Sequence, residues 1–169
     1  MNLQDVRTLI DYHYWARDRM LEAVDVLDRG ELTRELGNSF SSIRDTLVHL
    51  YGAERIWCAR WQGEAPQGMP DPAHYPDLAA IRGVWSDQEA RLRAVVDGLD
   101  EAGVQRVIEY RMLNGQQQSQ PFWQMLQHVV NHGSYHRGQV TTMLRQLGAA
   151  PPKAMDLIAF YRERASGVS

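Results

Sequence analysis

The chain contains a single cysteine, a single lysine, no long apolar run and no excess of basic charge. One cysteine, Cys58, excludes an internal disulfide and argues against a zinc–thiolate cluster within one chain. The net charge of -3 provides no basic surface for nucleic acid, so we expect no nucleic-acid partner. No segment approaches the ~20 apolar residues of a membrane-spanning helix, and we expect no membrane partner.

The N-terminal segment, residues 1–15, lacks both the basic start and the apolar run of a secretory signal peptide. We therefore expect a cytoplasmic protein. A length of 169 residues is typical of one domain that buries its own core. The hydrophobic content of 44% and the charged content of 23% are those of a globular protein. We expect a single helical-bundle domain over residues 1–169.

Apolar residues recur at steps of three and four in four long segments, which predicts four amphipathic helices. The expected helices cover about residues 4–27, 42–61, 78–99 and 122–147. Ser42 and Asp45 match the two positions of a capping box at the start of the second helix. Gly30 and Gly148 are placed to end the first and the fourth helix.

The segments between and after these helices have different patterns. Residues 63–77 contain four prolines, which exclude a helix and predict a long loop that is a candidate rim for a site. Residues 107–111 alternate in polarity and precede Asn114-Gly115, which predicts a short β-hairpin. Residues 154–164 predict a final short helix. The expected fold is all-α, a four-helix bundle with a short β-hairpin before the last long helix and a short C-terminal helix.

Three histidines spaced four apart, His128, His132 and His136, lie in the fourth predicted helix. Residues four apart share one face of a helix, so two neighbouring imidazoles can bind one metal ion. His128 and His136 are about 12 Å apart along the axis of a straight helix, so we expect no more than two of the three to reach one ion. The pair is therefore either His128/His132 or His132/His136, and His49 in the second helix is the best candidate for a third ligand.

Other polar residues near this motif have more ordinary interpretations. We expect His13 and His74 to be polar or surface residues rather than ligands. For His128, a core or supporting role is favoured over ligation. Asp45 lies four residues before His49 and could orient its imidazole, although its role in the helix cap is the favoured interpretation.

Three glycines interrupt the two helices that carry the histidines. Gly133 and Gly138 each cost roughly 1 kcal/mol in a helix interior. Such glycines usually permit the close approach of another element or of a ligand. We expect the same of Gly52, which lies near His49 in the second helix.

Several known classes of metal site do not fit. The general base of an HExxH protease is missing, because Gly133 occupies that position. Residues 122–147 contain no glutamate, unlike the helices of di-iron bundles. Cys58 is about half a turn out of phase with His49, which argues against a cysteine–histidine copper site, and Glu54 is about 140° out of phase and a poor ligand.

A three-histidine site leaves at least one coordination position open for water or substrate, whereas structural zinc normally has four protein ligands. Neutral imidazole suits zinc, nickel, iron and copper. A metal at such a site can lower the pKa of a bound water or of a thiol. The ligand set does not choose between these two reactions.

Two segments resemble the hallmark of the DinB/YfiT family of helical-bundle metalloproteins: residues 131–140 (NHGSYHRGQV) and residues 42–57 (SIRDTLVHLYGAERIW). Residues 14–16 (YWA), the turn before residues 121–126 (PFWQML) and residues 156–163 (DLIAFYRE) extend the resemblance over nearly the whole chain. The resemblance implies a four-helix bundle, often dimeric. It also implies a divalent metal held by His49, His132 and His136.

The family contains transferases and isomerases that use a small thiol. The resemblance therefore implies a metal-dependent thiol S-transferase, with a small thiol and an electrophile as partners and a homodimer as the assembly. Zinc or nickel is the favoured metal, with iron or manganese as alternatives. A non-catalytic metal-binding stress-response protein and a hydrolase that uses activated water remain open, so the enzyme class is uncertain.

No catalytic residue beyond the metal ligands follows from the sequence. Arg137 is the arginine nearest the site and a candidate for positioning substrate, but a surface or dimer-interface role is at least as well supported. Tyr51 and Trp57 are candidates for the walls of a pocket, although aromatic residues at helical spacing more often belong to the core.

Overall fold

The structure, a computed structural model, describes residues 1–167. Within them lie seven α-helices, one short 3-10 helix and one two-stranded sheet. The helices are α1 Leu3–Val24, α2 Arg29–Thr33, α3 Ile43–Trp61, α4 Leu78–Asp97, α5 Glu101–Gln105, α6 Phe122–Gln146 and α7 Leu157–Ser166. The strands are β1 Val107–Arg111 and β2 Gln117–Pro121, and the 3-10 helix is Pro72–His74.

The four long helices form a bundle in which α1 contacts α6, α6 contacts α3, α3 contacts α4 and α4 contacts α1. Each helix buries the apolar stripe that its sequence predicts, because that stripe faces its two neighbours in the ring. The predicted all-α bundle, with a hairpin before the last long helix and a short helix at the end, is confirmed. That the chain is a single domain stays a prediction.

Two of the predicted helix boundaries are wrong. Helix α1 ends at Val24 rather than near Gly30, because Asp28 caps a separate short helix, α2, by accepting a hydrogen bond from the Glu31 backbone. The last helix begins at Leu157, three residues later than expected. Only half of the capping box predicted at the start of α3 forms: the Ser42 hydroxyl accepts from the Asp45 backbone N–H.

The predicted hairpin is present. Strands β1 and β2 pair antiparallel, with Val107 opposite Pro121 and Arg111 opposite Gln117. Gly115 has a φ of 86°, a left-handed conformation that favours glycine. The backbone N–H of Phe122 donates to the Arg106 carbonyl at 2.9 Å, so the hairpin leads directly into α6.

The core of residues 1–167 contains a small apolar cluster around Phe160 of α7 and two larger ones, which a polar layer separates at the middle of the bundle. One of the larger clusters, near the hairpin, includes Ile10, Trp61, Leu92 and Phe122. The other, near the opposite end, includes Met20, Leu47, Trp85 and Met143. Between them the four helices bury ionisable or amide side chains, namely His13, Arg17, Glu54, Gln88, His136 and Arg137. We call these six residues the mid-bundle layer.

No helix within residues 1–167 combines the length and the apolar character needed to cross a bilayer.

Candidate metal centre

Helices α3 and α6 bring three histidines together at the edge of the mid-bundle layer. On α6, His132 and His136 lie one helical turn apart, and their Nε2 atoms are 3.0 Å from each other. From α3, His49 places its Nε2 atom 3.0 Å from His132 Nε2. The three candidate donor atoms all lie within 4.8 Å of one another.

This arrangement fits a shared metal ion better than it fits hydrogen bonds. The Nε2 atom of His132 faces both of its neighbours, but an imidazole nitrogen has one in-plane position, which holds either a proton or a lone pair. It therefore cannot form a good hydrogen bond with both neighbours at once. Two nitrogens bound to one tetrahedral ion at 2.0–2.1 Å lie about 3.3 Å apart, close to the observed spacing.

The surroundings keep the imidazoles neutral, as metal ligation requires. Burial, together with the neighbouring His136, lowers the pKa of His49 from 6.5 to about 4. Burial and the other histidines lower the pKa of His132 to about 3. Burial also lowers the pKa of His136. At neutral pH all three lone pairs are available to an ion.

Gln139 fixes the orientation of one of these rings. His136 Nδ1 donates to Gln139 Oε1 at 2.6 Å, which places the proton on Nδ1 and leaves the lone pair on Nε2, facing the other two histidines. Gln139 Nε2 in turn lies 3.5 Å from Ser39 Oγ. Gln139 thus connects a candidate ligand to the segment that precedes α3.

That segment also covers the site. The Phe40 ring stacks on the His49 ring with centroids 4.1 Å apart, and its centroid lies 5.5 Å from that of His136. Asn38 holds the segment in place by donating to Gln146 Oε1 at 3.1 Å. Phe40 therefore shields two candidate ligands from solvent on one side.

Behind the histidines, the mid-bundle layer contains a buried network centred on Glu54. Its two carboxylate oxygens interact with His13 Nε2 at 2.8 Å and with the Tyr14 hydroxyl at 3.1 Å. Gly133 permits this packing, because a Cβ atom there would lie 2.7 Å from His13 Cε1. Glu54 therefore points into the bundle, as its helical phase predicts.

Arg137 belongs to the same layer. Its guanidinium donates to Ser134 Oγ at 2.8 Å and to the Tyr12 hydroxyl at 3.3 Å, and the side chain is 3% exposed. Burial lowers the pKa of Arg137. In this chain Arg137 is neither a surface nor an exposed interface residue, contrary to that interpretation of the sequence.

Comparison with known proteins identifies the family and supports the fold. The DinB family model matches residues 1–164. The chain belongs to the DinB family. It is 26% identical to Protein DinB of Bacillus subtilis (strain 168) over 152 residues, which are 84% of this chain and 86% of that protein. The crystal structure of a DinB-like protein from Bacillus cereus ATCC 10987 superposes with a TM-score of 0.66 at 16% identity, over 86% of this chain and 95% of that one, and so supports the fold.

In this DinB family chain, a three-histidine group that could hold a metal ion is formed by His49, His132 and His136. Metal ligation by these residues stays a prediction. His128 lies outside the group and is exposed. His13 also lies outside the group, and it is buried against Glu54 rather than at the surface.

The remaining sequence candidates lie away from the three histidines. His74 is exposed in the short 3-10 helix. The carboxylate of Asp45 pairs with Arg44 rather than with a histidine. Tyr51 packs against Tyr75. Cys58 is buried and its thiol lies 3.9 Å from Gln62 Oε1.

The glycine predictions had mixed outcomes. Gly52 does permit a close approach, because a Cβ atom there would lie 2.5 Å from Pro70 Cδ, in the loop after α3. Gly138 does not, since no atom lies within 4 Å of the corresponding position. Phe40 and Gln139 were missed as site residues. A glutamine three residues after a histidine on a helix was the available signal for Gln139.

We expect Gln139→Ala to weaken zinc binding by about 10–100-fold, because partners that orient a ligating imidazole typically contribute that much to metal affinity. Competition titration against a chromophoric chelator measures the affinity. Gln127→Ala, an exposed glutamine on the same helix, is the matched control and should bind zinc as the wild type does. Equal affinity for both variants would show that Gln139 does not support a ligand.

The metal-free protein should lose stability as the pH falls from about 6.5 towards 4. The folded-state pKa values of His49 and His132, about 4 and about 3, are below the value of 6.5 for a free imidazole. Protons therefore bind the unfolded chain first, and the stability present above pH 6.5 is lost as the pH falls.

Thermal unfolding of chelator-treated protein across this pH range measures the effect. His132→Gln should reduce the slope of melting temperature against pH between 6.5 and 4. His74→Gln, which changes an exposed histidine, is the control and should leave the slope unchanged. A wild-type melting temperature that is flat over the range would contradict the prediction.

Proposed function

We propose that this protein is a metal-dependent transferase that activates a low-molecular-weight thiol at the three-histidine site. The observation that carries the proposal is the convergence of three neutral imidazole nitrogens within 4.8 Å. Within residues 1–167, that group includes no carboxylate and no cysteine as a fourth ligand. Three protein ligands with an open position are typical of catalytic rather than structural zinc.

The thiol must come from a second molecule, because the protein's own thiol is unsuited to the reaction. Cys58 lies outside the three-histidine group. Burial raises the pKa of the Cys58 thiol, which makes it a weaker nucleophile at neutral pH. A small thiol from a second molecule has neither restriction: it can reach the open coordination position, and burial in the core does not raise its pKa.

A divalent metal bound by the three histidines would supply Lewis acidity, which lowers the pKa of a coordinating thiol. The proton of the thiol passes to solvent, a carbon–sulfur bond forms with the electrophile, and the bond to its leaving group breaks. The protein's residues orient and shield the reaction. Gln139 holds the His136 ring in place, and Phe40 excludes water from one side.

Zinc or nickel is the proposed metal, and a homodimer is the proposed assembly. Imidazole ligands suit both metals. The dimer is proposed from the family resemblance. Sedimentation of the purified protein measures the assembly, and a monomer at all concentrations would contradict it.

Cobalt(II) substitution provides a direct test, because cobalt(II) gives an absorption band when a thiol sulfur binds it. We expect glutathione and 2-mercaptoethanol to produce that band with wild-type protein and not with His132→Ala. The metal-loaded protein should then consume thiol and a model electrophile together.

Two other results would overturn the proposal. Turnover of an ester without any thiol would favour a hydrolase that uses activated water. A metal that binds but shows no thiol band with any thiol would favour a non-catalytic metal-binding protein.

A further inference from the structure

Among residues 1–167, Arg60 is a buried cation that forms no ion pair with an acidic residue. Its side chain lies in the last turn of α3 and is 4% exposed. Its Nε atom is buried and has no hydrogen-bond partner within the part of the chain that the structure describes. Burial lowers the pKa of Arg60, and the only opposing influence is the Tyr110 hydroxyl. Burying an unpaired cation is unfavourable, and an anion bound beside it would offset that cost.

The other buried arginines differ from Arg60 in this respect. Arg17 forms ion pairs with Asp18 at 2.7 Å and with Glu89 at 2.6 Å. Arg137 donates two hydrogen bonds and lies within electrostatic range of Glu54. Both belong to the mid-bundle layer. Arg60 lies outside that layer, on the hairpin side, where the surrounding core is apolar.

Aromatic rings hold the Arg60 guanidinium in place. It lies 4.7 Å from the centroid of the Trp57 ring and 5.1 Å from that of Tyr110 in β1. The two rings contact each other at 5.2 Å and are inclined by 66°. Cation–π contacts of this kind fix the plane of a guanidinium but leave its N–H groups free to bind a carboxylate.

These residues continue the surface that begins at the three-histidine site. The ring of His132 lies 5.8 Å from that of His128, which lies 5.1 Å from Trp57. Arg60 is eleven residues after His49, which puts both on the same face of α3 to within about 20° at 100° per residue. His128 is exposed and Trp57 is half-buried, so solvent reaches the part of this row that lies beside Arg60.

We propose that Arg60 binds a carboxylate of the small molecule whose other end reaches the three-histidine site. The proposal deepens the proposed function and rests on it for the second end of that molecule. A carboxylate matches a single guanidinium, because two parallel N–H groups of arginine meet its two oxygens.

The single positive charge favours a carboxylate over a phosphate. A phosphate group carries up to two negative charges and is usually bound by several cations or by a helix N-terminus. Here the neighbours of Arg60 are the rings of Trp57 and Tyr110, with the His128 ring beyond Trp57. One guanidinium among aromatic rings therefore suits a monoanionic group.

The first measurement uses hexanoate as the carboxylate probe and hexanamide as its neutral match. In nitrogen-15-labelled, zinc-treated protein, the Arg60 Nε–H signal is identified by its loss in Arg60→Gln. We expect hexanoate to shift that signal saturably and hexanamide to leave it in place. No shift with hexanoate at any concentration overturns the proposal.

Variants distinguish recognition from a structural role. Arg60→Gln should weaken hexanoate binding by about tenfold or more, the loss expected for a charge-assisted hydrogen bond. Arg145→Gln makes the same charge change at an exposed position of α6 and should bind as the wild type does. Arg60→Lys retains the charge without the planar group, so it should fold even if Arg60→Gln does not. It should still bind hexanoate more weakly than the wild type does. Equal hexanoate affinity in wild type and Arg60→Lys overturns the proposal.

Binding experiments with thiols distinguish a failure of this proposal from a failure of the proposed function. Glutathione should bind cobalt-loaded wild type more tightly than Arg60→Gln, whereas glutathione diethyl ester should bind both equally. Thiol binding that is the same in both proteins, with no effect of hexanoate, refutes the Arg60 site and leaves thiol activation intact. Arg60-dependent hexanoate binding without any thiol band supports the Arg60 site and contradicts thiol activation.

Discussion

His132→Ala is expected to lower zinc affinity by about a hundredfold or more. The Nε2 atom of His132 is the one that contacts both other candidate ligands, at 3.0 Å each. Its removal leaves two imidazoles, and even residues that only orient a ligand contribute roughly 10–100-fold. Competition with a chromophoric chelator measures the affinity of each variant.

His128→Ala is the matched control for this prediction. It removes a histidine of the same helix, one turn earlier, that lies outside the three-histidine group. We expect it to bind zinc as the wild type does. A large loss of zinc affinity in His128→Ala, with no loss of zinc affinity in His132→Ala, would show that the ligating pair is His128 and another residue.

Glu54→Ala is expected to destabilise the protein by about 2–6 kcal/mol, because it leaves two buried hydrogen-bonding partners unsatisfied at roughly 1–3 kcal/mol each. The Glu54 side chain is 3% exposed and lies 2.8 Å from His13 Nε2. The truncation leaves His13 and the Tyr14 hydroxyl buried without their shared partner. Urea denaturation of the zinc-free protein measures the free energy of unfolding.

Two further variants calibrate that result. Glu54→Gln keeps an oxygen that accepts from the Tyr14 hydroxyl, so it should cost less than the alanine variant. Glu64→Ala removes an exposed glutamate just after α3 and should change stability by no more than about 0.5 kcal/mol. If Glu54→Ala were as mild as Glu64→Ala, the buried network would not contribute to stability.

The parts of the fold that the sequence predicted are those that a repeated pattern specifies. The four long helices each present an apolar stripe over five or more turns, and the turn at Asn114-Gly115 has its own local signature. The short helices α2 and α5 span five residues each, too few for a periodic pattern. Asp28 and Asp100 cap them, and these caps were the only local signals available.

The sequence predicted the histidines of the candidate site that share one helix, but not the features that depend on tertiary contacts. The spacing of four residues identified His132 but could not choose between His128 and His136, because both are one turn away. The choice depended on the family resemblance, and the structure places His136 beside His49. Phe40 lies in an irregular segment, and its stacking on His49 depends on the packing of that segment against α6.

The mid-bundle layer could not be predicted from the sequence, because it also depends on contacts between different helices. Glu54 and His13 are 41 residues apart and belong to different helices. The helical phase of Glu54 correctly predicted that its side chain points away from His49, but it does not identify the residues that Glu54 contacts. Arg137 follows His136 directly, yet its burial depends on Tyr12 of α1.

Metal content per chain tests the central claim most directly. The untagged protein would be incubated with a slight excess of zinc or nickel and passed through a desalting column. Native mass spectrometry would then measure the mass of the intact protein with its bound metal. We expect one divalent ion per chain in the wild type. A wild-type protein that retains neither metal, while remaining folded by circular dichroism, would contradict the three-histidine metal centre and the thiol chemistry proposed for it.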